Sequence, residues 1–451
     1  MIQDLSNTGG ESLSDKPPPS SRPRRATKRP TPNDPGNDWM RAKDLPQWHD
    51  WRWQLRNRIR GLEDLKKRFP GVTVTSCMEG AVNKFPMAIP PYYASLIRVL
   101  DTSDPVFQMC VPQGQELLDP PFLEDDPLSE DHDMPVPGLV HRYRDRALLL
   151  VTSMCASYCR HCTRKRVAGH VETCITAARL QKAVEYLTAH PEIHDVVVSG
   201  GDPFTMATSA LEKVLSAVRS VPSVDIIRVG TRTPVVMPMR ITDELVAMLR
   251  KYQPVYVNTH FNHPTELPPE SCQAVQRLAD AGIPVGNQTV LLRGVNDDPL
   301  TLEALFRSLV RNRVRPYYLF QCDLVRGVEH FRTPLVRGTE IMDYLRGRLS
   351  GLAIPSFVVD APHGGGKIPL LPTYVVGRDA AGTVLRNFEG VITHYPEPSD
   401  MALGAAAPRD ERAPAASRAA APVPGGFRRR PLARSPRVKE YAGQLRLPFL
   451  D

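Results

Sequence analysis

Three cysteines, Cys155, Cys159 and Cys162, stand at C-x3-C-x2-C spacing directly after the apolar run Leu148-Leu149-Leu150-Val151. Iron–sulfur clusters are normally held by four cysteine thiolates, so three on one short loop leave one iron open to a small molecule. Spacing alone also accommodates three unrelated thiols, or a zinc site short of one ligand. Lys367 is a second reactive group, placed after Gly364-Gly365-Gly366. By itself that run is a flexible turn with a surface lysine, and it lacks the rest of a phosphate-loop pattern. Asp323 and Asp360 complete the set. Two carboxylates at one apolar mouth repel unless a cation sits between them; each alone also reads as a helix cap or an arginine's partner.

These groups need elements to carry them. Apolar runs at 147–151, 195–198, 225–229, 255–258, 289–292, 316–320 and 356–359 read as strands. Helical patterns lie between them, near 176–189, 207–220, 269–281, 300–312 and 338–350. Another spans 242–252, where Leu245, Met248, Leu249 and Tyr252 follow the i, i+3, i+4, i+7 rhythm of a buried face. Strands alternating with helices predict a parallel sheet with right-handed crossovers. The expected fold is α/β: a partial, open TIM-type barrel of about six βα units with an N-terminal helical extension and disordered tails. The cysteine loop follows the first strand, Gly200-Gly201-Asp202 the second, His260 the fourth, Asp323 the sixth and Asp360 the seventh. Side chains at the C-terminal strand ends of such barrels converge on one mouth, so distant residues are predicted to form one site.

The loop reads Cys155-Ala-Ser-Tyr-Cys159-Arg-His-Cys162-Thr-Arg-Lys-Arg166. It resembles the cluster loop of radical S-adenosylmethionine (SAM) enzymes and, more narrowly, the lysine 2,3-aminomutase family. The resemblance continues through Ser199-Gly-Gly-Asp202, Asn258-Thr-His-Phe-Asn-His263, Gly286-Asn-Gln-Thr289, Gln321-Cys-Asp-Leu324 and Val359-Asp-Ala-Pro-His-Gly-Gly-Gly-Lys367, covering about residues 37–398. It implies a 4Fe–4S cluster on Cys155, Cys159 and Cys162 with SAM on the open iron. It places Gly200, Gly201, Asp202, His260 and Gln288 near SAM, the two glycines allowing close backbone approach. It makes Lys367 the lysine that forms a Schiff base with pyridoxal 5′-phosphate (PLP). In the run His141-Arg-Tyr-Arg-Asp-Arg146, it assigns Arg142, Tyr143 and Arg146 to the cofactor's phosphate and ring. Arg164 would grip the substrate α-carboxylate with its planar fork, and Asp323 and Asp360 would hold a distal cation.

The implied reaction is an isomerisation that moves the α-amino group of a cationic L-amino acid to its β-carbon. L-Lysine is the first choice; L-arginine, giving β-arginine in antibiotic biosynthesis, is the alternative. A maturase acting on a lysine of a translation factor is a more distant one. His363 and Val325-Arg326 depart from the family pattern beside the presumed pocket, and they keep open arginine, whose guanidinium prefers paired, in-plane carboxylates, as the alternative to lysine. The implied partners are the amino acid substrate, an electron donor such as flavodoxin or ferredoxin, and further copies of the chain. Some members carry a structural zinc, but no cysteine follows Cys322 and the matching barrel position in Gly294-Val-Asn-Asp-Asp298 is an aspartate, so no zinc is expected.

The formal charge of +8 is concentrated in the tails. Residues 1–36 hold 6 basic and 4 acidic groups and residues 399–451 hold 10 and 5, leaving 41 against 40 in the remainder. A specific nucleic-acid-binding core would concentrate basic charge on its folded part, so none is expected. The tails, rich in Pro, Ala and Arg, read as disordered. No apolar stretch approaches the ~20 residues of a membrane span, and no export signal is visible. Eight cysteines without a regular framework point to reduced thiols and a cytoplasmic setting; Cys77, Cys110, Cys174, Cys272 and Cys322 read as buried and inert. The expected organisation is a tail at 1–36, a helical and wrapping region at 37–140, the barrel at 141–375, the end of the core at 376–398 and a basic tail at 399–451. Within it, four tryptophans between 39 and 53 anchor helices, and 101–138 forms an extended wrap.

Overall fold

Alternation along the apolar runs sorts their side chains between two faces. In β3, Val196 and Val198 are fully buried while Asp195, Val197 and Ser199 are half-buried; in β4, Ile227 and Val229 repeat the pattern. Successive residues of a strand point to opposite faces, so the buried rows meet helices and the others meet a common interior.

In the computed structural model, which describes residues 46–379 and 382–397, nine strands form one sheet in chain order. They are β1 (Leu139–Tyr143), β2 (Arg146–Thr152), β3 (Asp195–Gly200), β4 (Ile226–Gly230), β5 (Val255–Thr259), β6 (Val285–Leu291), β7 (Val314–Gln321), β8 (Ser356–Ala361) and β9 (Gly366–Pro369). Strands β2 to β8 are parallel, and β1 and β9 run antiparallel along the two edges. Helices Ala177–Ala189, Thr208–Arg219, Asp243–Arg250, Pro269–Asp280, Pro299–Arg311 and Leu335–Leu345 return the chain after β2 to β7. This is the expected partial barrel with six βα units, extended by a seventh parallel strand. Its edges meet where the backbone N–H of Lys367 donates to Tyr143 Oη at 3.1 Å, so the barrel is nearly closed.

Caps set the helix starts: Thr176, Thr242 and Asp298 accept from the backbone N–H groups of Arg179, Leu245 and Thr301. Two boundaries differ from expectation by four residues or more. Strand β6 begins at Val285 rather than 289, because its inward residues Gly286 and Gln288 face a cavity and are not apolar. The last barrel helix stops at Leu345, and Gly347 follows with φ at 76°, a conformation that favours glycine.

The N-terminal region packs on this frame. Trp48 and Trp51 are buried, and the Arg240 guanidinium lies 4.5 Å over the Trp51 ring. Trp39 and the expected tails at 1–36 and 399–451 lie outside the described residues. The wrap is not simply extended. Asp104 accepts from Val106 and Phe107 and, with Pro105 at the first position, starts helix Pro105–Cys110; a 3-10 turn follows at Gly114–Leu117. Of the remaining thiols, Cys110 and Cys322 are buried as expected, but Cys77 and Cys174 are exposed on a helix's first turn and a loop. Strands β10 (Val375–Asp379), β11 (Gly382–Arg386) and β12 (Ile392–Tyr395) form a separate small sheet, which among the described residues belongs to a second unit by its contacts.

Candidate active site

The inward faces of the barrel enclose a cavity of about 810 Å3. It runs the depth of the sheet, from Asp195 and Ile226 at strand starts to Gly230 and Asp360 near strand ends. Lys367, Asp323 and Asp360 line one side. Arg142, Tyr143 and Arg146 from the β1–β2 hairpin line it too, as do Arg164, His260 and Gln288. The residues expected around PLP and substrate therefore meet in one space.

Beside it lies the cysteine loop, whose His161, Thr163 and Arg164 form part of the wall. The N-terminal region holds this loop firmly. Arg58 donates to the Cys155 carbonyl at 2.6 Å, and the backbone N–H of Arg160 donates to the Met109 carbonyl at 2.9 Å. Arg160 and Lys165 both pair with the fully buried Glu116, at 2.6 and 2.9 Å. The three thiols are half-buried. Arg232 Nη1 donates to Cys159 Sγ at 2.8 Å and the Arg164 backbone N–H to Cys162 Sγ at 3.3 Å. Burial and then Asp202 push the Cys155 thiol well up; burial and then Cys159 raise Cys162. A metal centre supplies the charge that buried thiolates otherwise lack. Among the described residues no three His, Cys, Asp or Glu side chains close on one ion. His161 Nδ1 is buried without a protein partner, a free polar atom at the cavity edge. The donor set fits a cluster.

Lys367 Nζ sits 2.8 Å from both Asp360 carboxylate oxygens and 4.9 Å over the Phe320 ring. The glycines before it build the β8–β9 turn: Gly364 and Gly366 take φ of 77° and 82°. Asp323 accepts from Thr163 Oγ1 at 2.6 Å. Burial lifts its carboxyl to about 6, with Asp360 adding to the rise and Thr163 opposing it. His260 Nδ1 lies 3.0 Å from the Gln288 carbonyl oxygen; burial and then Arg232 push it down to about 4, so the ring is neutral at pH 7. A primary amine in a cavity lined by Arg142, Arg146, Arg228 and Arg315 fits an aldehyde that carries a phosphate.

Several expectations need correction. Asp202 does not face the cavity: it is buried, and its carboxylate accepts from Phe204 N, Thr231 Oγ1, Arg232 N and Thr233 Oγ1. At Gly200 and Gly201, the room that a Cβ would need is taken by the Thr152 and Met154 backbone oxygens. Their close approach is to the end of β2 and to the residue that leads into the cysteine loop. Arg164 already spends Nε and Nη2 on Glu130, at 2.9 and 2.7 Å, which leaves Nη1 outside that clamp. Arg142 is likewise engaged, by Asp133 at 3.0 Å and the Leu128 carbonyl. Val325 is buried in a small apolar cluster, Arg326 pairs with Asp119 and Asp125, and His363 pairs with Glu124; none of the three lines the cavity. Sequence reasoning missed Glu116, Glu130, Arg228 and Arg232. Arg228 left a signal, a charge at an inward position of an apolar strand; the two glutamates lie in a loop-rich stretch and left none.

A sequence model described as Lysine-2,3-aminomutase matches residues 342–419, and one for the Radical SAM superfamily matches residues 149–305. L-lysine 2,3-aminomutase of Clostridium subterminale is 52% identical over 362 residues, covering 79% of this chain and 86% of that protein. The chain belongs to the lysine 2,3-aminomutase family. Family members similar to it include the L-lysine 2,3-aminomutase of Bacillus subtilis, 48% identical over 79% of this chain and 77% of that one. The glutamate 2,3-aminomutase of Clostridioides difficile is 45% identical over 78% and 84%. As an amino acid 2,3-aminomutase the protein is an isomerase, and its superfamily implies a 4Fe–4S cluster and SAM. No helix among the described residues of this aminomutase is long and apolar enough to cross a membrane.

Proposed function

We propose that this aminomutase converts L-lysine to β-lysine, with the cluster on Cys155, Cys159 and Cys162 and PLP on Lys367. The observation that carries the substrate is the paired carboxylates Asp323 and Asp360 on the cavity wall, with Arg164 in the same space. An amino acid with a cation at its far end satisfies both charges, whereas glutamate would bring a third carboxylate to the pair. Because Val325, Arg326 and His363 stand outside the cavity, nothing in the wall favours arginine over lysine.

When bound, the cluster with SAM supplies one-electron chemistry that opens an unactivated C–H bond, and PLP supplies a carbonyl for the substrate amine. The chain's own residues orient and exclude. Lys367 Nζ becomes a nucleophile by losing a proton, and the Asp360 oxygens at 2.8 Å are within reach to take it. Once Asp360 has passed that proton on to solvent, it is an anion again with no lysine charge to pair, and it joins Asp323 around the substrate's distal ammonium. Arg164, held on one edge by Glu130, offers Nη1 to the α-carboxylate. Arg146, stacked 4.0 Å over the Tyr143 ring, supports the ring and phosphate. His260 and Gln288 remain assigned to SAM. Enclosure in the barrel keeps water from a reactive radical. The reading includes an external one-electron donor of the flavodoxin or ferredoxin class, a reducing cytoplasmic setting and assembly with further copies of the chain.

The test is anaerobic incubation of the loaded enzyme with SAM, a reductant and, separately, L-lysine, L-arginine and L-glutamate. β-Lysine is the expected product. A fully loaded enzyme that makes β-arginine or β-glutamate but no β-lysine overturns the substrate assignment.

A further inference from the structure

Arg232 lies 8% exposed behind the cysteine loop, at a junction of separate parts of the chain. Its Nη1 donates to Cys159 Sγ at 2.8 Å, its Nη2 to Glu266 Oε1 at 2.6 Å and Tyr93 Oη at 2.9 Å, and its Nε to the His260 carbonyl at 3.2 Å. Its backbone N–H is held by Asp202 Oδ2 at 2.8 Å. Glu266 is fully buried and is fixed in turn by Tyr93 Oη and the Asn262 N–H, each at 2.6 Å. The guanidinium is thus pinned on every edge and cannot turn away from the sulfur.

We propose that Arg232 is a positioning residue that raises the reduction potential of the cluster, and that Asp202 and Glu266 act by fixing it against Cys159. The proposal rests on the cluster assignment made above. Reduction brings one electron from an external donor and no proton, so the cluster with its thiolates gains one unit of negative charge. A fixed cation that donates N–H to a ligand sulfur stabilises the more negative state, and a buried, low-dielectric setting strengthens the effect. Hydrogen bonds to the sulfurs and local charge are among the factors that tune such potentials. Glu266, an anion on the same guanidinium, tempers the cation. Asp202, in the Ser199–Asp202 motif, then serves the cluster through Arg232 rather than by touching SAM.

The test uses reconstituted holoenzyme, with iron and sulfide assayed first and the midpoint potential then read by EPR during titration with dithionite. Arg232→Gln is expected to shift the midpoint to more negative values. Arg232→Lys, which keeps a charge without the planar fork, should fall between it and the original protein. The double variant Arg232→Gln/Glu266→Gln removes both charges and isolates the lost hydrogen bond, giving a smaller negative shift. Glu266→Gln alone leaves the Cys159 contact and should move the midpoint upward. Full cluster content with an unmoved midpoint and EPR signal in Arg232→Gln or the double variant overturns the proposal. Should both lose the cluster, Glu266→Gln decides, and an unchanged or lowered midpoint overturns it. An original protein that binds no iron at all defeats the cluster assignment instead.

Discussion

Arg160 and Lys165 tie the cysteine loop to Glu116, a carboxylate from a distant, loop-rich stretch of the chain, and all three side chains are almost wholly buried. Lys367 pairs instead with Asp360, its cross-strand neighbour on the same hairpin, and its side chain stays 30% exposed. Both face one cavity, yet one is clamped and the other loosely held. A loop that must present three sulfurs in a fixed pattern needs a frame that does not yield. An amine that must exchange partners needs one that lets go. The contrast follows from the desolvated surroundings of the first set and the solvent access of the second.

The contrast can be broken or sharpened by substitution. Lys367→Ala should abolish turnover while iron content stays unchanged; persistent β-amino acid formation would remove the lysine from the chemistry. Glu116→Gln leaves Arg160 and Lys165 buried without their counterion and should cost about 3–5 kcal/mol in urea unfolding. Asp360→Asn, by comparison, should change stability by about 1 kcal/mol or less, since its partner is partly exposed. Equal losses from the two would erase the distinction between the walls.

Asp323→Asn and Asp360→Asn should each lower kcat/KM for L-lysine, by about 2–3 kcal/mol or roughly 30–150-fold. Steady-state kinetics with lysine and an uncharged analogue would test whether the loss follows the distal charge. Glu130→Gln loosens one edge of Arg164 and should raise KM roughly tenfold, with less effect on kcat. The smallest effect concerns pH. Burial raises the Asp323 carboxyl to about 6, so the group favours the fold at low pH and that contribution is lost as pH rises through about 6. Binding of a cation runs the other way: KM for lysine should fall between about pH 5 and 7, and Asp323→Asn should flatten that slope.

Apolar runs and the helical patterns between them placed most barrel elements correctly, because core strands and helices are specified by local burial. The reading failed where function intruded on pattern. Strand β6 was foreshortened because Gly286 and Gln288 face the cavity. The stretch before the barrel, rich in Asp and Pro, looked like a wrap, although Asp104 and Pro105 are a helix start in miniature. The same stretch hid Glu116 and Glu130, whose partners lie 34 to 49 residues away.

Residue type and spacing by themselves determined the chemistry available to this chain: three thiols on one loop, an amine after a glycine turn, and two carboxylates at strand ends. Which of them meet, and on whose terms, was decided only in three dimensions. Asp202 and Arg164 show why. A carboxylate or guanidinium pairs with whatever the fold brings within about 3 Å, and that partner was, for Asp202, the loop bearing Arg232 and, for Arg164, Glu130. Hydrogen bonds and ion pairs depend on distance in space, and chain order records only distance along the backbone.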